Sequence, residues 1–200
     1  MAKLFPDPIT STLTRADGSD NLDPAMPRGV VLEPLRPHVD ERGAFTEIFR
    51  NDSTDAKSPV QWNLVDSQAL VLRGVHVHVK HDDYLLLSRG RVVVGLHDLR
   101  QNSATYAMSC CVELTAEDRH SITIPHGVAH GFLFLEPSQH LYAVTHYWDP
   151  ADELGCHWSD PELKIEWPVA PQHVSRRDRE AQSLVELKQE LEPFQARLLE

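Results

Sequence analysis

Basic residues are in short supply: 19 Lys and Arg stand against 30 Asp and Glu, for a formal net charge of −11. None of the basic residues forms a long run, so the stripe or patch that nucleic acid or an anionic membrane would need is missing. A local Arg cluster could still take an anionic small substrate. No stretch approaches the roughly 20 apolar residues that cross a bilayer, and the first residues show no basic segment followed by an apolar one. The expectation is a cytoplasmic protein with neither nucleic acid nor membrane as partner. Cysteine is scarce too: Cys110 and Cys111 are adjacent and Cys156 is distant. That pattern has neither zinc-ligand spacing nor a disulfide framework, and leaves buried, reduced thiols. Internal repeats and low-complexity tracts are absent.

What is present suffices for one domain, since 200 residues with 41% hydrophobic content can bury a full core. Residues 1–28 carry Pro, Asp, Ser and Thr without periodicity and read as an arm of the kind that lies across a partner subunit. From Gly29 short apolar runs alternate with turn residues: 30–35, 44–49, 60–65, 70–79, 84–88, 92–96, 106–114, 121–124, 131–135 and 141–147. Many short strands without intervening helices predict an all-β jelly-roll sandwich or barrel over residues 29–174. Arg89-Gly90 and Glu136-Pro137-Ser138 read as turns between runs. After Trp167-Pro168, Ser175 and Asp178 have capping-box spacing, and Leu184, Leu187 and Leu191 recur at helical spacing up to Pro193. Residues 175–200 are therefore expected to form a short helical segment packed on the β domain.

Chemistry concentrates in R-G-V-H-V-H (Arg73 to His78) and P-H-G-V-A-H (Pro125 to His130). In a strand His76 and His78 share a face, so an Arg and two His project from an apolar sheet into one space. Further motifs are D-E-R-G-A-F-T-E (Asp40 to Glu47), V-Q-W-N (Val60 to Asn63), H-L-Y (His140 to Tyr142), W-S-D-P-E-L-K-I-E-W-P (Trp158 to Pro168) and V-S-R-R-D (Val174 to Asp178). In this order and spacing, from about residue 29 to 185, the chain resembles the dTDP-4-dehydrorhamnose 3,5-epimerases. The resemblance implies a jelly-roll cupin, usually a homodimer, acting without metal or other cofactor on a nucleotide-linked 4-keto-6-deoxy sugar.

The 4-keto group of such a sugar acidifies the protons on C3 and C5, so inversion needs a base, an acid and a stabiliser for the enolate. By resemblance His76 is the base, Asp178 the carboxylate that fixes its tautomer, and Tyr142 the acid. Asp178 could equally cap the helix with Ser175, and Tyr142 could be a core aromatic. Arg73 suits the diphosphate and Arg42 the glycosyl phosphate. Glu47, Gln61 and Asn63 match nucleotide contacts, Phe45 a base-stacking position and His130 the sugar site, while Trp158, Trp167 and Asp160-Pro161 read as structural.

Two positions depart from the family pattern. His78 stands where a Gln is usual, and Asp83 where a Lys that helps hold the keto oxygen is usual. An ionised carboxylate cannot stabilise an oxyanion, so His78, His130, Lys80 or Tyr84 would have to donate, and inversion at a single carbon, or a differently decorated sugar, becomes plausible. The same residues open a rival: His76, His78, Asp83 and His130 match cupin metal-ligand spacing and suit Fe(II), Mn(II), Ni(II) or Zn(II) in an oxygenase, isomerase or lyase. A third class is a sugar-nucleotide-binding cupin without turnover.

Overall fold

The computed structural model describes residues 26–51 and 58–198. Within them two antiparallel sheets face each other. One runs β1 (Val31–Pro34), β9 (His120–Ile124), β6 (Asp83–Arg89), β11 (Ser138–Val144), β4 (Gln61–Ser67). The other runs β12 (Leu154–Gly155), β5 (Val71–Val77), β10 (Val128–Phe134), β7 (Arg91–Asp98), β8 (Ser109–Thr115), with β13 (His173–Val174) joining β5 in parallel. The all-β, cupin-like jelly-roll expectation holds.

The strands form because their side chains alternate with period two between buried layers. Leu85 and Leu87 of β6 meet Val92, Val94 and Leu96 of β7, with Ile122, Ile124 and Phe134, in the core between the sheets. Tyr84 and Leu86 point the other way and pack with Ile48 and Phe49 on the outside. The opposite face of β7 is covered as well. Gly95 lies so close beneath Trp167 and Ile165 that a Cβ there would stand 2.5 Å and 2.6 Å from their side-chain carbons. Burial on both faces explains why β7 reads as a continuous apolar run. No helix among the described residues is long and apolar enough to cross a membrane.

The expected strands 30–35, 60–65, 84–88, 92–96 and 121–124 are found with small shifts. Three features differ. The hairpin of β2 (Pro37–Asp40) and β3 (Gly43–Thr46) has nearly every residue exposed, so no hydrophobic alternation announces it. Tyr106 lies in a turn, 41% exposed, and β8 starts at Ser109. The C-terminal segment is two helices, α1 (Arg176–Arg179) and α2 (Leu184–Leu191), because Ser183 and Glu186 form a fresh capping box between them. Leu184, Leu187 and Leu191 are fully buried against Val75, Val77, Leu99 and Ala129 on the outer face of the second sheet. The expected arm lies outside the described residues except for Met26 to Arg28; Met26 joins the core. Cys156 is buried, with burial pushing its thiol up to about 12, while Cys110 and Cys111 are only partly buried, on opposite faces of β8.

Candidate active site

The R-G-V-H segment is built around Gly74. Its φ is +116°, and a Cβ would lie 2.8 Å from both the Gly131 Cα and the His130 carbonyl oxygen, so only glycine fits where β5 and β10 approach. The Gly74 N–H points at Asp178 Oδ2, 3.4 Å away. Asp178 arrives from the far end of the chain, because His173 and Val174 pair with Val71 and Leu72 and start α1 beside β5. Its other oxygen accepts from His76 Nε2 at 2.7 Å. The Ser175 hydroxyl accepts from the Asp178 N–H. Asp178 thus occupies the cap position with its backbone and the imidazole with its side chain, so both readings of it apply together. Burial pushes the Asp178 carboxyl up, but the hydrogen bond and charge of His76 outweigh this and hold it below its ordinary value. With Nε2 donating to a carboxylate, the neutral ring keeps its lone pair on Nδ1, the form a base needs.

His76 lines a cavity of about 550 Å³ between the sheets, together with Gln61, Arg73, His78, His130 and Tyr142. Tyr142 comes from β11, in the sheet opposite His76, and sits in register with Leu85 and Asn63. Burial raises its phenol above the ordinary value, helped by the charges of Asp83 and Glu153, so it stays protonated near neutral pH. Arg73 is exposed; Ser67 and the Asp66 carbonyl hold its guanidinium at 3.1 and 3.3 Å.

A second cluster occupies the same cavity wall. Asp83, 7% exposed, is approached at Oδ2 by the Nε2 atoms of His130 (3.7 Å), His78 (3.8 Å) and His81 (3.9 Å). Burial raises the Asp83 carboxyl to about 7, with His78 opposing and Glu153, Asp82 and Asp152 reinforcing. Burial lowers His130 well below the ordinary imidazole value. His76, bonded to Asp178, is not in this group, so the four-ligand set His76, His78, Asp83, His130 does not form: only the last three converge. Lys80 is engaged with Asp149 and Tyr84 bonds the Ile48 carbonyl; neither lines the cavity, so two of the four candidate oxyanion donors are removed.

Four expected contacts also stay away from the cavity. Arg42 is clamped by Asp40 on the exposed β2–β3 hairpin, and Phe45 on the same hairpin is 66% exposed. Glu47 pairs with Arg50 at 2.8 Å, and the Asn63 Oδ1 accepts from Gln61. Conversely, His81, His140, Asp152 and Glu153 were not anticipated. Asp152 holds the loop carrying His81, its carboxylate accepting from the backbone N–H of Val79 and Lys80 at 2.8 and 3.2 Å. It lies in a short turn far along the chain with no periodic signal; the H-V-K-H-D-D run was the available hint for His81.

A jelly roll whose inter-sheet cavity sets an imidazole of one sheet, paired with a helix carboxylate, against a half-buried phenol of the other defines the class of small-ligand, acid–base cupins. The family model described as dTDP-4-dehydrorhamnose 3,5-epimerase matches residues 25–186, and the chain belongs to that family. It is 35% identical over 172 residues to the dTDP-4-dehydrorhamnose 3,5-epimerase of Pseudomonas aeruginosa, covering 81% of this chain and 94% of that one. It is 34% identical over 168 residues to a dTDP-4-dehydrorhamnose 3-epimerase of Streptomyces niveus, covering 82% and 77%. Among solved structures, the Legionella pneumophila epimerase in complex with dTDP-4-keto-L-rhamnose superposes with a TM-score of 0.73 at 32% identity, covering 80% of this chain and 92% of that one. These similarities favour the epimerase reading over the metal-dependent oxygenase or lyase.

Proposed function

We propose that the protein is an epimerase that inverts C3, C5 or both of a dTDP-linked 4-keto-6-deoxy sugar, in the synthesis of a deoxysugar. The observation that carries this reading is that the base and the acid reach one cavity from opposing sheets, His76 from β5 and Tyr142 from β11. Inversion requires a proton to leave one face of the carbon and return on the other. His76 Nδ1 takes the proton from the carbon beside the ketone while Asp178 orients the ring and offsets the charge it gains. The electron pair moves onto the C4 oxygen as an enolate, the Tyr142 hydroxyl proton passes to the opposite face of the carbon, and solvent reprotonates the phenolate while His76 gives its proton back to solvent. Arg73 takes the diphosphate, with His130, His78 and Gln61 contacting the rest of the substrate. Arg42, Phe45, Glu47 and Asn63 have no role at the sugar within one chain.

The assembly is a homodimer in this reading, supported by Val60, Trp62 and Leu64, which lie at alternate positions along edge strand β4 and its approach and are 42–60% exposed. The location is the cytoplasm, where nucleotide-activated sugars are made. The His76→Ala variant is expected to lose deuterium exchange from heavy water into the sugar while binding dTDP as the unaltered protein does. Loss of both together would overturn the assignment of His76 as the base.

A further inference from the structure

The Nδ1 atom of His78 lies 3.0 Å from the Asp152 carbonyl oxygen, and that of His130 lies 3.1 Å from the Val128 carbonyl oxygen. A carbonyl only accepts, so both Nδ1 atoms carry the proton. With Nδ1 so held, a neutral ring can offer only its Nε2 lone pair, and both Nε2 atoms face the Asp83 carboxyl, at 3.8 and 3.7 Å. Two imidazole nitrogens and a carboxylate oxygen thus converge within 4.8 Å of one another in a site less than a tenth exposed, an arrangement that a cation between them would satisfy.

We propose that His78 Nε2, Asp83 Oδ2 and His130 Nε2 bind a divalent first-row metal ion in the cavity wall. Two imidazoles and one carboxylate are a donor set that such ions take, with open positions left for water or a substrate oxygen. Bonds of roughly 2.1 Å at a tetrahedral angle separate donor atoms by about 3.4 Å, so the two imidazole–Asp83 separations need to close by only a few tenths of an ångström, and all three donors lie within 4.8 Å of one another. The outer support is built: the Asp152 and Val128 carbonyls fix both rings, and the Asp152 carboxylate pins the loop behind them. His81 Nε2, 3.9 Å from Asp83, flanks the site. Because His76 is bonded to Asp178 outside the trio, an ion here leaves the base free.

On the epimerase reading, and resting on it, the ion supplies the positive charge that the enolate oxygen otherwise lacks in this cavity. Asp83 is a carboxyl rather than a cation, and Lys80 is held by Asp149 away from the cavity.

The test uses the full chain stripped with a chelator and titrated with Co2+ and Zn2+ alone. The expected result is one ion per chain, a visible Co2+ absorption band, and a rise in melting temperature with metal concentration. In Asp83→Asn and in His130→Gln the affinity should fall by more than the roughly 10–100-fold that loss of an outer-shell partner costs. The thermal shift of the unaltered protein needs no variant to fold. Absence of binding, or binding equally tight in both variants, overturns the site. Deuterium exchange into the sugar is followed separately in stripped and reloaded protein. A tenfold or greater rise on reloading supports the role at the enolate. Equal exchange in both overturns that role while leaving the site, and no exchange in either counts against the epimerase reading, not the metal.

Discussion

Replacing Asp178 by Asn separates the two things this residue does. The carboxylate has two oxygens and two donors to satisfy, His76 Nε2–H at 2.7 Å and Gly74 N–H at 3.4 Å. An amide has one oxygen. If that oxygen faces His76, the NH2 group opposes the Gly74 N–H. If it faces Gly74, the NH2 group forces Nε2 to accept, moving the ring proton to Nδ1 and removing the base. Either way the negative charge that offsets the imidazolium is gone. An orienting aspartate changed to asparagine in a catalytic triad lowers turnover by about 10⁴, and general-base catalysis is worth roughly 10²–10⁴ in all. The expected loss in exchange rate is therefore of order 10²–10⁴, about 3–5 kcal/mol of barrier, with dTDP affinity nearly unchanged. The assay is proton NMR of the sugar in heavy water beside calorimetric titration with dTDP. Ser175→Ala provides the contrast: it removes the hydroxyl that accepts from the Asp178 N–H but keeps the carboxylate. It should cost about 1 kcal/mol of stability and far less exchange. If Asp178→Asn keeps exchange within threefold, or the two variants lose it alike, Asp178 acts as a cap and the pairing with His76 is not catalytic.

Tyr142→Phe keeps the aromatic packing but removes the hydroxyl, so exchange at the abstracted position should persist while the inverted sugar fails to accumulate; equal loss of both contradicts a dedicated acid. His140 is 2% exposed, stacked on Phe134 at 5.0 Å, and burial lowers its imidazole to about 4. The unfolded chain then protonates first as pH falls below the ordinary imidazole value, so His140 costs stability on acidification, roughly 1.4 kcal/mol per pH unit down to about 4. His140→Phe should flatten the decline in melting temperature between pH 6.5 and 4.5, and superimposable pH profiles would refute the burial argument.

The sandwich was legible because its strands bury alternate residues, and β7 was legible as a run because both its faces are covered. The β2–β3 hairpin was not, since exposed strands carry no alternation. Strands β12 and β13 are two residues each and exist by pairing with β5, a long-range condition that local sequence does not encode. In the site, His76, His78, His130 and Tyr142 were readable from strand phase and motif. The placing of His81 between Asp83 and Asp152, 3.9 and 3.1 Å from its two ring nitrogens, depends on how two loops fold against each other. The break between α1 and α2 turns on Ser183 with Glu186, a second capping signal eight residues beyond Ser175.

The central claim is tested most directly by incubating the unaltered protein with dTDP-4-keto-6-deoxyglucose in heavy water and following C3 and C5 by NMR. The account predicts deuterium at C3, C5 or both, together with the inverted sugar. A substrate that binds yet keeps its protons at both carbons, with stripped and metal-loaded protein alike, would contradict it.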